Sequence, residues 1–250
     1  MTDLAITHIG GPTTLIELDG VRLLVDPTFD APGRRYWFGW GTSSRKTAGP
    51  ALSPADLGRL DGVLLTHDQH ADNLDDAGRA LLPSVPVVVT TASAAQRLGG
   101  NAVGLTAFQS RMVADIEVTA TPARHGPPLS RPIVGETTGF ALRAPGSASV
   151  VWISGDTVLF DGLLSLADRF TVDTAILHLG KVQFGLTGPL KYTMNGRDAA
   201  ALCNRIKPRR IVPVHYEGWS HFQEGRPAIA AAFPPNALTW LTPGIRTPIN

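Results

Sequence analysis

Five short apolar runs in this chain each lead into a histidine or an aspartate, and this arrangement limits the folds open to it. The runs and the residues that follow them are 63–66 with His67, 118–124 with His125, 150–155 with Asp156, 175–177 with His178 and 211–214 with His215. Short apolar runs are typical of buried strands. Because α/β proteins collect ligands where strands end, we expect these side chains to share one edge of a sheet. One such residue alone would more simply be a capping or packing residue, but five together favour a functional site.

A denser group of polar residues follows the first of these runs. His67, Asp68, His70 and Asp72 place two imidazoles and two carboxylates within six residues. Imidazole and carboxylate are suitable ligands for zinc, manganese or iron, so this segment predicts a metal site. The alternative is a polar turn that caps the next predicted helix, with Asp72 or Asn73 as the capping residue.

Composition agrees with a metal site that contains no thiolate. The chain has 250 residues, of which seven are histidine and one is cysteine. One cysteine excludes a disulfide framework, a zinc finger and an iron–sulfur cluster, and it fits a reducing compartment. A formal net charge of +1 gives no bulk attraction to nucleic acid or to an anionic membrane. The sequence begins without a signal-like segment and has no apolar run long enough to span a bilayer, so we expect a cytoplasmic protein.

The predicted secondary structure alternates in two blocks, each with strands first and helices later. Strands are predicted at 4–9, 14–18, 21–25, 63–66, 85–90, 102–107, 111–120, 139–143, 149–154, 174–177, 210–214 and 238–241, and helices at 74–82, 93–98, 162–170, 196–206 and 227–232. A long irregular segment lies at about residues 27–53. No linker-like tract divides the chain. We therefore expect one domain over residues 1–250, in which two sheets pack face to face with helices outside.

The sequence resembles the metallo-β-lactamase-fold hydrolases, specifically the branch of L-ascorbate-6-phosphate lactonase and N-acylphosphatidylethanolamine phospholipase D. The family motif is His-x-His-x-Asp-His after a strand, then a lone His, an Asp in a Gly-Asp-Thr-like turn, and a final His after a strand. In this chain the motif falls on the loop from His67, on His125, on Asp156 and on His215, and residues 192–194 also resemble that branch. The resemblance implies an α/β fold, a four-layer αββα sandwich with the metal ions at one edge.

The first part of this motif departs from the family at two positions. Counted from His67, Gln69 stands where the second histidine is expected, and a one-residue insertion would bring His70 to that place, with Asp72 as the aspartate of the motif. The closing histidine of the motif is Asn73 here. Because a neutral amide is a poor ligand for a transition metal, we expect the second metal site to be weaker or to be completed by another group.

The resemblance also implies a role for each site residue. The implied ligands are His67, His70 and His125 for a first metal ion, Asp72 and His215 for a second, and Asp156 as the bridge between them. The cofactor would be one or two divalent transition metal ions, with zinc expected first and manganese or iron as alternatives. A metal-activated hydroxide would then hydrolyse an ester, lactone, amide or phosphodiester. Asp72 or Asp68 would orient the water or pass a proton to the leaving group.

His178 and His221 are candidates to complete the second metal site. The alternative is that these two histidines only stabilise a loop or the core through hydrogen bonds.

Several basic and aromatic residues bear on the substrate. Basic residues that could receive an anionic group are Arg34, Arg35, Lys46, Lys181 and Lys191, although ordinary surface charges are the simpler interpretation. The aromatic run at 36–40 suggests an apolar rim around the site, or a contact with a second subunit in a homo-oligomer.

Two other functions stay open at this point. The altered positions Gln69 and Asn73 would suit a metal-poor binding or scaffold protein of the same fold. A nuclease would need a dense basic track, and only residues 207–210 offer a short one. A hydrolase acting on a small molecule, without nucleic acid or membrane as partner, remains the leading interpretation.

Overall fold

The computed structural model describes residues 3–249, and two β-sheets make up most of it. The strands of the first half are β1 (Leu4–Gly10), β2 (Thr13–Leu18), β3 (Val21–Val25), β4 (Arg35–Trp37), β5 (Ser43–Arg45), β6 (Gly62–Leu64), β7 (Val88–Thr91) and β8 (Ala102–Leu105). The strands of the second half are β9 (Ser110–Val113), β10 (Ile116–Pro122), β11 (Thr138–Arg143), β12 (Ser149–Ile153), β13 (Thr171–His178), β14 (Arg210–Val214) and β15 (Arg246–Pro248).

The two sheets follow the same plan. The seven-stranded sheet has the order β15-β1-β2-β3-β6-β7-β8, and the six-stranded sheet has the order β14-β13-β12-β11-β10-β9. Apart from the antiparallel pair of β15 with β1, in each sheet antiparallel pairs come first along the chain and parallel pairs follow, from β3 through β8 in one sheet and from β12 through β14 in the other. Parallel strands end at the same edge of a sheet, so each sheet gathers the residues that follow its parallel strands.

The main core lies between the sheets, and strand alternation decides which side chains enter it. In β12, Val151 and Ile153 belong to the same buried cluster as Ile16 of the other sheet. The intervening residues Val150 and Trp152 belong to a second cluster, which includes helical side chains. Successive residues of a strand point to opposite faces, so one strand serves both the inner and the outer layer.

Helices cover the outer faces of both sheets. The helices are α1 (Asp76–Leu81), α2 (Ala92–Leu98), α3 (Arg131–Val134), α4 (Asp161–Leu164), α5 (Gly196–Ile206) and α6 (Arg226–Ala230), and of these α3 lies apart from the outer faces, in a cluster with Val182 and Tyr192. Buried residues of α4, α5 and α6 pack on the second sheet, and residues 57–85 supply the cluster that covers the first. The layering is the αββα sandwich that the sequence predicts. Within residues 3–249 no helix has the length and apolar character needed to cross a membrane.

Three expectations about local structure are wrong. The segment 27–53 is not without structure, because β4 and β5 form a hairpin inside it. Residues 238–241 contribute only a bridge between Leu238 and Ile211, and a turn then leads the chain to β15, which pairs with β1 instead. Neither Asp72 nor Asn73 caps α1. The cap is Asp75, whose carboxylate accepts the N–H of Gly78 at 2.9 Å.

Candidate metal centre

Three buried histidines, His67, His70 and His125, converge where β6 and β10 end, and we call them the imidazole triad. Nε2 of His67 lies 3.0 Å from Nδ1 of His70, and Nε2 of His125 lies 3.1 Å from the same atom. All three side chains are almost fully buried. Two members come from one loop after β6, while the third is brought in from the second sheet.

Burial keeps this triad uncharged. Burial, reinforced by the neighbouring imidazoles, holds the pKa of His67 well below its usual range and lowers the pKa of His125 to about 3. Nδ1 of His125 donates to the carbonyl oxygen of Tyr192 at 2.7 Å, so the lone pair of its Nε2 is directed at His70. A backbone carbonyl that fixes the tautomer in this way is a usual support for a metal-binding histidine. Three converging neutral imidazoles fit a divalent transition metal.

A second group, Asp72, Asp156 and His215, forms the carboxylate triad. Its potential ligand atoms all lie within 4.8 Å of one another. Nε2 of His215 is 3.4 Å from Oδ2 of Asp72 and 3.6 Å from Oδ2 of Asp156. Among residues 3–249, Oδ1 of Asp72 and both carboxylate oxygens of Asp156 lack a hydrogen-bond partner. Buried polar atoms are normally satisfied, so these oxygens fit a site for a cation.

The charges of the carboxylate triad are strongly perturbed. Burial and the nearby carboxylate of Asp72 together raise the pKa of Asp156 to about 7, against the opposing effect of His215. Burial opposes a charge on His215, but Asp156 and Asp72 outweigh it and raise its pKa to about 9. A proton on His215 thus offsets part of the negative charge. A divalent cation bound here would supply that positive charge in its place.

The backbone beside this triad adopts a left-handed conformation at two positions. Gly155, before Asp156, has a φ of 60°, and a Cβ there would lie 2.4 Å from the carbonyl oxygen of Thr138, so only glycine fits. His215 itself has a φ of 58°, while its N–H donates to the carbonyl oxygen of Gly11 at 2.8 Å. A non-glycine residue in this region costs about 1–3 kcal/mol and is often found at functional sites.

Asp26, which the sequence analysis overlooked, supports the loop of the imidazole triad. Its Oδ1 accepts the N–H of Thr66 at 2.7 Å, and its Oδ2 accepts the amide of Asn73 at 3.1 Å. Nε2 of His178 lies 3.2 Å from the same Oδ2. Asn73 and His178 are therefore both engaged by Asp26. One feature of the sequence could have indicated this role: Asp26 directly follows the strand β3, just as the candidate ligands follow their strands.

His221, the other predicted support, lies beside the carboxylate triad. Its Nε2 is 3.0 Å from Oδ2 of Asp72, and the side chain is buried. Three aromatic rings surround it, with centroid distances of 5.4 Å to Phe38, 5.4 Å to Phe184 and 4.6 Å to Phe222. An imidazole held in this way is placed to interact with whatever the carboxylate triad binds.

Two other predicted positions lie away from both triads. Asp68 forms a two-point ion pair with Arg97, whose Nε donates to Oδ2 at 2.9 Å and whose Nη2 donates to Oδ1. Gln69 packs against Gly135, where an added Cβ would lie 2.1 Å from Nε2 of the glutamine. His70 instead of residue 69 thus joins the imidazole triad, as the one-residue insertion in the motif predicts.

An apolar cavity of about 200 Å³ opens onto both triads, because its lining includes His70, Asp72 and His125. The rest of the lining is mostly hydrophobic and aromatic: Phe38, Trp40, Ile133, Val134, Val182, Phe184, Leu190 and Tyr192. The aromatic run after residue 36 therefore contributes to the wall of this cavity.

The basic residues considered as anion receptors have other partners or positions. Lys46 is only 3% exposed and lies 2.8 Å from Oδ2 of Asp75. Lys191 lies 2.6 Å from Oδ2 of Asp198. Arg34 pairs with Asp76, Arg35 donates to the hydroxyl of Ser43, and Lys181 is outside the cavity lining. The interpretation of these residues as structural or surface charges is the better one.

Comparison with known proteins agrees with this architecture. The profile of the beta-lactamase superfamily domain matches residues 21–216, so the chain belongs to the beta-lactamase superfamily. A UPF0173 metal-dependent hydrolase of Pelotomaculum thermopropionicum is 30% identical over 68% of this chain and 72% of its own length. One of Caldivirga maquilingensis is 28% identical over 84% of this chain and 80% of its own length. The chain is thus a metal-dependent hydrolase of the UPF0173 family.

A solved structure shares the whole fold. The isothiocyanate hydrolase from Delia radicum gut bacteria superimposes with a TM-score of 0.82 at 20% identity, covering 97% of this chain and 98% of the other. At this identity the likeness concerns the fold. The finer resemblance to the lactonase and phospholipase D branch stays a prediction.

Proposed function

We propose that this protein hydrolyses a small-molecule substrate with two divalent metal ions held by the two triads. The imidazole triad would hold one ion, Asp72 and His215 the other, and Asp156 would be shared between them. The observation that carries the proposal is the pairing of two buried sets of converging ligand atoms, one of them with unsatisfied carboxylate oxygens. A metal-poor scaffold would have no need for such costly burial.

The donor set favours zinc, with manganese or iron as alternatives, because it consists of imidazole and carboxylate without thiolate. When bound, such ions lower the pKa of a coordinated water and polarise an oxygen of the substrate. The chain's own contribution to proton transfer is assigned to Asp72. This residue lines the cavity and has an unpartnered Oδ1, whereas Arg97 occupies both oxygens of Asp68.

The substrate panel follows from the family and from the fold. Esters, lactones, amides and phosphodiesters of small molecules are the bonds that the resemblance suggests. Because a structural neighbour is an isothiocyanate hydrolase, an alkyl isothiocyanate belongs in the same panel. The absence of lysine and arginine among the residues described as lining the cavity argues for small neutral members of the panel first.

Metal removal and a single substitution test the proposal. Chelation should abolish turnover of the best substrate, and added zinc should restore it. Asp156→Ala should lose metal retention and reduce kcat/KM more than about 100-fold, the upper range for loss of a supporting residue of a metal site. Arg59→Ala, at a side chain that is 85% exposed, is the matched control and should behave as the parent protein. Full activity and full metal content in the Asp156 variant would refute the proposal.

A further inference from the structure

We infer that the substrate offers an uncharged apolar group, a short alkyl chain or a single ring, to the cavity that opens onto the two triads. This inference rests on the proposed function, since it assigns the class of substrate to the same site. Its basis is the position of the cavity, the chemistry of its walls and its size.

The apolar wall is in direct contact with the candidate metal ligands. The ring of Phe38 lies 5.2 Å from that of His70, and the ring of Tyr192 lies 5.9 Å from that of His125. Phe184 joins these two walls, with centroid distances of 5.7 Å to Phe38 and 5.8 Å to Tyr192. A group that fills this space therefore places the atoms attached to it against both triads.

Away from the two triads, the walls provide no counter-charge for an anion. Among the described residues that line the cavity, the acidic and basic side chains are His70, His125 and Asp72. All three are buried members of the two triads, and the rest of the described lining carries no charged side chain. Moving a charged group from water into such walls without a partner is costly. A neutral group is thus the one that the cavity accepts at the lowest cost.

The entrance is apolar as well. Trp40, Ile133 and Leu190 line the cavity and are 73%, 43% and 42% exposed. Exposed apolar side chains grouped at one opening are typical of a binding groove. They come from the hairpin region after β4, from α3 and from the segment before Tyr192, so three separate elements present the same chemistry to an entering molecule.

The size of the cavity sets the length of the group. About 200 Å³ is below the range of about 300–1,000 Å³ that is usual for drug-sized ligands. Burial of each methylene should raise kcat/KM about fourfold, equivalent to about 0.8 kcal/mol, until the cavity is filled. Further carbons would then lie at the entrance and add little.

A homologous series tests this inference on the zinc-loaded protein. We would measure kcat/KM for the 4-nitrophenyl esters from acetate to octanoate, and for the anionic 4-nitrophenyl monoester of succinic acid. Binding of neutral primary amides from propanamide to octanamide, followed by calorimetry, gives a second readout that needs no turnover. Both series should rise with chain length and then level off, and the succinate monoester should be poorer than the neutral ester of equal length.

A matched pair of variants locates the effect. Ile133→Lys introduces a charge at the entrance, while Ile245→Lys makes the same change at a side chain that is 57% exposed and outside the cavity. The first should flatten both series and reduce the discrimination against succinate, and the second should change neither. An absent chain-length dependence, a preference for succinate, or equal behaviour of the two variants would overturn the inference. Length-dependent amide binding without hydrolysis of any panel member would instead overturn the proposed function alone.

Discussion

The two triads of the candidate metal centre lie side by side, but they are built in opposite ways. The imidazole triad is neutral, because burial lowers the pKa of every member. The carboxylate triad combines two carboxylates with an imidazole whose pKa is raised to about 9. A cation would therefore be held by lone pairs alone at the imidazole triad, whereas at the carboxylate triad it would take the place of a proton. The two sites should therefore differ in metal affinity, and the occupancy of the carboxylate triad should depend more on the protonation of its members.

They differ in sequence origin too. His67 and His70 share one loop, so a local motif specifies most of the imidazole triad. The carboxylate triad takes Asp72, Asp156 and His215 from three distant segments, and its geometry depends on the packing of both sheets. One loop thus places two of the three imidazole ligands, with only His125 brought from the other sheet, whereas the three members of the carboxylate triad all come from different segments.

The largest effect should separate the triads directly. His125→Ala removes an imidazole whose tautomer is fixed by the carbonyl oxygen of Tyr192. We expect this variant to lose the metal ion of the imidazole triad, which is the tighter one, and kcat/KM to fall more than about 100-fold. His215→Ala should lose only the weaker ion and keep about one equivalent. Metal content after dialysis and zinc titration by calorimetry measure both. Equal loss of both ions in both variants would show that the triads form one inseparable site.

A smaller effect should reveal what completes the carboxylate triad. His221 lies 3.0 Å from Asp72, while Asn73 is engaged by Asp26, so His221 is the available imidazole for the second ion. His221→Ala should weaken the second site about 10- to 100-fold with the first unchanged.

Two further variants distinguish binding from support. His221→Gln can still donate to Asp72 but is a poor ligand, so a ligand role predicts that it resembles the alanine variant. His178→Gln is the control, since that histidine faces Asp26, and it should keep two equivalents. If the His221→Gln variant binds the second metal ion with normal affinity, His221 is not a ligand and only positions Asp72.

The smallest effect on the metal, but a clear effect on stability, is expected at Lys46. Its buried pair with Asp75 ties the loop that carries Phe38 to the start of α1. Lys46→Met should lower the free energy of unfolding by about 3 kcal/mol, because the buried carboxylate of Asp75 loses its counter-charge and keeps only its backbone N–H donors. Lys191→Met, at a more exposed pair, should cost less than about 1 kcal/mol. Denaturant unfolding of both proteins checks this, and equal losses would contradict it.

The contrast between the triads also explains what the sequence could predict. The ends of the strands indicated His67, His125, Asp156 and His215, because apolar runs reveal strands and parallel strands share an edge. The role of Asp26 was not visible, since its partners lie up to 152 residues away.

Burial of charges was equally hard to foresee. The sequence left Lys46 as an ordinary surface charge or a receptor for an anion, whereas the structure buries it in an ion pair with Asp75 from another segment. The predicted strand at 238–241 is reduced to a bridge between Leu238 and Ile211, and the last strand of the chain is β15, which pairs with β1 of the other sheet. Local pattern specifies which residues can form an element or a site, whereas contacts between distant segments decide which of them do.

The carboxylate of Asp26 also links the two halves of the sandwich. It is shared by Thr66, Asn73 and His178, which come from both halves. The loop that carries His67 and His70 is therefore held through one buried carboxylate to a strand of the other sheet. A substitution that removes Asp26 should leave all three partners without this acceptor at once, because a single side chain serves them all.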